Sequence, residues 1–196
     1  MSQTNEVLTR LAPRLWNASE ELHSYAVLDG AANEGLLDVL YGSDPPRFEC
    51  LFTGELAPDM AYVAPYLAEL NEGSEFARWA VNGGWGQHWG IFVLSRVALP
   101  ALWRHLRTLT KINDHEGRPI YFRFYDPRVL SLFLPTCDAD QLKAIFGPVE
   151  RFILEGATHE EGLGFSLQDG ELLGSGLSFC PRYRHRPDPD GRVHGI

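Results

Sequence analysis

Lysine is nearly missing from this chain of 196 residues: only Lys111 and Lys143 stand beside 15 arginines. The formal net charge is −9 at pH 7. That balance argues against nucleic-acid or anionic-membrane binding by the surface as a whole. The cations that remain are guanidinium groups, suited to planar pairing with carboxylates and to stacking on aromatic rings. An interaction surface and a GC-rich coding sequence would each produce such a bias. Cysteine is also scarce. Cys50, Cys137 and Cys180 are odd in number and far apart, with no Cys-x-x-Cys pair and no disulfide framework. Cys50 and Cys137, in apolar settings, read as buried thiols, and a reducing cytoplasm fits the three. No charged-then-apolar leader and no apolar run of about 18 residues is visible, so neither signal peptide nor membrane span is expected. Internal repeats are missing too.

What the chain has is a generous supply for a core: 44% hydrophobic residues, with 11 Phe, 7 Tyr and 5 Trp. One domain of this length buries roughly 70% of its unfolded surface and needs no disulfide or metal to fold. The first 23 residues suggest a helical segment, with Val7, Leu8, Leu11, Leu15 and Trp16 at helical intervals and a kink at Pro13. Residues 24–155 then alternate strand and helix signals. Ser24–Asp29 reads as a buried strand, and Asn33–Gly35 opens a helix closed by Gly42. Arg47–Phe52 alternates like a strand, and Ala64–Leu70 is extended. Ser74 caps a helix ending at Asn82-Gly83-Gly84, and Trp89–Leu94, apolar on both faces, should be central. Ser95 starts a helix carrying Leu99, Leu102, Leu106 and Leu109. Asp138 with Gln141 makes a capping-box start, and Glu150–Glu155 is a last core strand.

One stretch organises the middle of the chain. Ile120, Phe122 and Phe124 alternate with Tyr121, Arg123 and Tyr125, the period of a strand. Asp126 and Pro127 then suit the N-cap and first position of a helix. Arg123, Asp126, Pro127 and Arg128 together read as a structural corner. The expected fold is a single α/β layered domain: a mixed β-sheet with helices packed on it. A Gly-rich C-terminal extension follows over 156–180, with a hairpin about Asp169-Gly170. A disordered arginine-containing tail is expected over 181–196.

Motifs for chemistry are sparse. A phosphate-binding Gly-x-x-x-x-Gly-Lys loop and a Gly-x-Ser-x-Gly elbow are missing, and Gly83–Gly90 has the wrong spacing for a dinucleotide loop. The seven histidines show no metal-ligand spacing; His159-Glu160-Glu161 has no second His four residues on. Asp29 and Asp126 both follow strands, as catalytic residues of open α/β sheets often do. With His105 they define a small hydrolase or transferase as the alternative enzymatic reading. No catalytic residue, cofactor or metal site is assigned.

Seven blocks in order carry a resemblance: Tyr25–Ala31, Val63–Leu70, Trp85–Ser95, His105–Arg107, Gly117-Arg118, Phe122–Arg128 and Phe146–Pro148. Together they resemble the type VI secretion system effector adaptor or chaperone family, domain-of-unknown-function family 4123, over about residues 24–155. The resemblance implies a bacterial, cytoplasmic, non-enzymatic protein that binds a secreted effector and helps load it onto the spike protein (VgrG). Longer members carry a helical C-terminal lobe, whereas only about 40 Gly- and Arg-rich residues follow Glu155 here. The expected partners are the cognate effector, the spike protein or both, with no nucleic acid and no membrane. Trp16, Trp85, Arg104 and Arg107 are the candidate partner-binding residues, because aromatic and Arg anchors carry most interface energy.

Overall fold

The structure, a computed structural model, describes residues 4–16, 21–113 and 116–178. Cys180 and the arginine tail lie outside the described residues. Nine strands and seven α-helices appear among them. The N-terminal part gives α1 (Thr4–Leu15), β1 (His23–Asp29), α2 (Leu36–Leu40), β2 (Phe48–Cys50), α3 (Pro58–Val63), β3 (Pro65–Glu69) and α4 (Glu75–Gly84). There follow β4 (Gly90–Ser95), α5 (Leu99–Leu109), β5 (Lys111–Asn113), β6 (Pro119–Tyr121) and α6 (Pro127–Phe133). The last elements are α7 (Ala139–Phe146), β7 (Val149–Glu155), β8 (Glu161–Gln168) and β9 (Glu171–Ser178).

Seven strands form one sheet in the order β2-β3-β1-β4-β7-β8-β9, and β5 pairs with β6 in a separate ribbon. The α/β layered class stands, but the sheet expected to be mixed is antiparallel at every pairing. The reason lies in strand order. β3 and β4 are both antiparallel to β1 and therefore run the same way, yet β1 lies between them. The α4 crossover thus joins co-directional strands that never touch, which reads in sequence as strand–helix–strand without a parallel ladder.

Helices cover both faces of the sheet. On one face, Tyr25, Val27, Val93, Phe152 and Leu154 pack with Leu102 and Leu106 of α5, Leu130 of α6 and Phe146 of α7. On the other, Ala26, Leu28, Phe92, Leu94 and Ile153 pack with Leu11 and Leu15 of α1, Leu36 of α2 and Phe76 and Val81 of α4. Burial on both sides explains why β1 and β4 are apolar without alternation. The Gly-rich extension belongs to this same sheet. Asp169 (φ 53°) and Gly170 (φ 84°) make the two-residue turn between β8 and β9, the positive dihedrals that match hairpin twist.

Three local expectations change. The strand expected over Ile120–Tyr125 is only Pro119–Tyr121, and it belongs to the small ribbon. Phe122 adds one more rung, its N–H donating to the Thr110 carbonyl at 3.0 Å; the chain then turns, with Asp126 N–H donating to Arg123 O at 3.0 Å. Phe122, Phe124 and Tyr125 are all buried, whereas Ile120 is exposed. The apparent alternation therefore combines a ribbon end with a buried turn. Arg47–Phe52 narrows to Phe48–Cys50, an edge strand whose flanking Arg47 C=O and Leu51 N–H make the last bonds to β3. Ser95 does not begin α5; it ends β4, donating its hydroxyl to Pro148 O at 2.7 Å, while Ala98 takes the N-cap position.

Candidate functional site

The last residue of β1 and the first turn of α6 meet at one end of the sheet. Asp126 occupies the N-cap of α6, its Oδ1 accepting from Arg128 N–H at 3.0 Å, with Pro127 in the first turn. Such a cap satisfies a donor that the helix leaves without an internal partner. The Arg128 side chain returns to the same carboxylate, Nε to Oδ1 at 2.9 Å and Nη2 to Oδ2 at 2.7 Å. Asp29 makes an analogous cap, accepting from Ala31 N–H at 3.0 Å. Arg123 links the two corners: its Nη2 donates to Asp29 Oδ2 and lies 3.8 Å from Asp126 Oδ2. Both carboxylates are buried, at 1% and 4% exposure, while the two guanidiniums remain half exposed.

The electrostatics follow from that arrangement. Burial pushes the Asp126 carboxyl up, but the Arg128 bonds and the charges of Arg128 and Arg123 outweigh it and hold the group below its ordinary value. Burial, reinforced by the Asp29 charge, drives the Tyr125 phenol up to about 12. Asp126 is thus kept ionised and Tyr125 neutral across the physiological range, and neither is poised to exchange a proton there. Chemically, the cluster fixes the relative position of β1 and α6. Among the described residues, no group of three or more His, Cys, Asp or Glu side chains is placed to hold a metal ion.

A third buried acid at the same end was not singled out by sequence. Glu155 closes β7 and is 5% exposed. Its two carboxylate oxygens take the Gly86 N–H and the His88 Nδ1, so it clasps the Gly-rich loop entering β4. His88 itself adopts φ 57°. Next to it, Trp85 is buried, stacks on Phe92 at 6.2 Å and donates its indole N–H to His159 O at 3.0 Å. Only a lone acid at a strand end could have signalled this clasp, and Glu155 shares that signal with many structural carboxylates.

The sequence-named candidates fall in different places. Asp29, Arg123, Asp126, Pro127 and Arg128 come together in the corner. Trp85 packs in the core on the opposite sheet face, and Trp16 is half-buried, its Nε1 donating to Leu70 O at 2.7 Å. Arg104 and Arg107 lie on α5, Arg104 exposed and Arg107 stacked 4.4 Å from the Trp103 ring centroid. His105 does not join Asp29 or Asp126 in a hydrogen bond: its Nε2 is 2.9 Å from Ile145 O, between α5 and α7.

A three-layer α/β/α domain with an antiparallel sheet and a neutralised acid–arginine corner is the class that these observations define. The family profile described as Domain of unknown function (DUF4123) matches residues 24–144, and the chain belongs to that family. Comparison with curated proteins and with solved structures gives no match.

Proposed function

We propose that this protein is a cytoplasmic, non-enzymatic adaptor that binds a type VI secretion effector, the VgrG spike protein or both, and helps load one onto the other. Family membership over residues 24–144 carries the reading, since adaptor activity is what the resemblance to that family implies. The corner supports it: the residues that looked most reactive hold ion pairs and helix caps, leaving function to the surface. No helix among the described residues is long and apolar enough to cross a membrane. The test is stoichiometric co-purification with the product of a neighbouring effector or spike gene. A folded protein that binds no such product overturns the reading.

The meeting of Asp29 and Asp126 on one arginine favours a second reading, a small hydrolase or transferase. Against it, both carboxylates are occupied by guanidiniums and caps, and His105 bonds elsewhere. That reading requires turnover in a substrate screen that disappears in Asp29→Ala, His105→Ala or Asp126→Ala; turnover untouched by all three removes it.

A further inference from the structure

A ridge of cations and aromatic rings runs from the outer side of α5 to the β5–β6 ribbon. Arg104 and Arg107, three residues apart, lie on one side of α5, and Lys111 follows just past the helix end as the first residue of β5. Arg107 lies over Trp103, and the Lys111 ammonium lies 5.6 Å from the centroid of Tyr121. Tyr121 in turn meets Phe52 at 5.9 Å. Tyr121 is 68% exposed, a large ring in water. Among the described residues, neither Arg104, Arg107 nor Lys111 has a carboxylate partner. On a chain of net charge −9, three cations with no carboxylate partner among the described residues, beside the exposed Tyr121 ring, form a local concentration of positive charge.

The neighbouring sheet edge has one backbone acceptor already occupied at the same place. The Leu51 N–H and Arg47 C=O of the outer strand segment bond inward to β3, so the alternate residues face outward. Among those, the Cys50 carbonyl already accepts the Trp103 indole N–H at 2.8 Å. We propose that this ridge docks an acidic segment of a partner protein carrying aromatic or aliphatic side chains. Carboxylates pair with the guanidiniums and ammonium, while apolar side chains cover Tyr121 and the Trp103–Arg107 stack. The strong negative charge elsewhere, and Glu49 exposed on β2, disfavour a continuous phosphodiester strand. The proposal locates the grip of the adaptor described above and rests on that reading for the partner's identity alone.

The test uses the full chain and three fluorescein-labelled probes: a peptide of about 12 residues alternating Glu or Asp with Leu or Phe, its Lys counterpart, and oligo-dT of similar length. The acidic peptide should bind, more weakly as salt rises. Reversing Arg107 and Lys111 to Glu should weaken it about tenfold or more in a variant that still unfolds in one cooperative transition, and Tyr121→Ala should weaken it severalfold. No binding of the acidic peptide, equal binding to the reversed variant or to the Lys peptide, or tighter binding of oligo-dT overturns the proposal. Capture of the neighbouring effector or spike product separates it from the adaptor reading. If the reversed variant captures that product as well as wild type does, the ridge is wrong and the adaptor stands. If wild type captures none while the acidic peptide binds through Arg107 and Lys111, the ridge stands and the adaptor falls.

Discussion

At Asp126 one carboxylate serves a helix cap and two arginines at once, so its removal should be felt beyond α6. Its folded pKa lies below that of an unfolded aspartate. The sign follows: the network stabilises the folded chain fully above the ordinary carboxylate range, and that contribution is lost as pH falls through the folded value. Asp126→Asn should lower stability by about 1–3 kcal/mol at neutral pH. In denaturant titrations its deficit against wild type should shrink below about pH 4; a deficit constant down to pH 2 would mean that charge is not the source. A different residue carries a steric constraint. Gly147 ends α7 at φ 47°, and a Cβ there would lie 2.4 Å from His105 Cε1. Gly147→Ala should lose about 2–4 kcal/mol through dihedral strain and clash combined. Adding His105→Ala should return only the clash portion, measured as a positive coupling in a double-mutant cycle.

At the scale of elements, the parts built from local chemistry were legible and those built from distant contact were not. Ser74, Asp126 and the Asp138–Gln141 capping box were readable because a cap and its helix are neighbours in sequence. The same holds for the Asp169-Gly170 turn. Asp138→Ala should therefore destabilise α7 by about 1 kcal/mol, visible as a small drop in melting temperature. By contrast, the Asp29–Arg123 pair joins residues 94 apart in sequence, and Glu155 reaches His88 across 67; no local pattern announces either. The Ile120–Tyr125 stretch misleads for a related reason. A period-two pattern of residue types looks the same whether the side chains enter a main sheet or, as here, join a ribbon end to a turn packed beneath α6. The Glu155 clasp has its own consequence. Glu155→Ala leaves Gly86 N–H and His88 without their acceptor, so hydrogen exchange should quicken in residues 85–89 while β1 and β4 keep their protection. Uniformly faster exchange would show that Glu155 supports the whole sheet instead.

Over the whole molecule, the apolar runs of β1 and β4 foretold strands covered on both faces, and helices do cover them. Strand direction was not legible, because a crossover that skips one strand leaves the same sequence rhythm as one between neighbours. The division of labour also emerges only at this scale. The charged end of the sheet is occupied internally, whereas Arg104, Arg107 and Lys111, with no carboxylate partner among the described residues, follow α5 into β5. An adaptor needs that combination: a rigid frame with an open surface. The most direct measurement is co-expression of the full chain with the products of its neighbouring effector and spike genes, followed by purification and mass determination of any complex. A stable complex of defined stoichiometry with at least one of them is the expected result. A correctly folded chain that emerges alone from every such pairing would contradict the account.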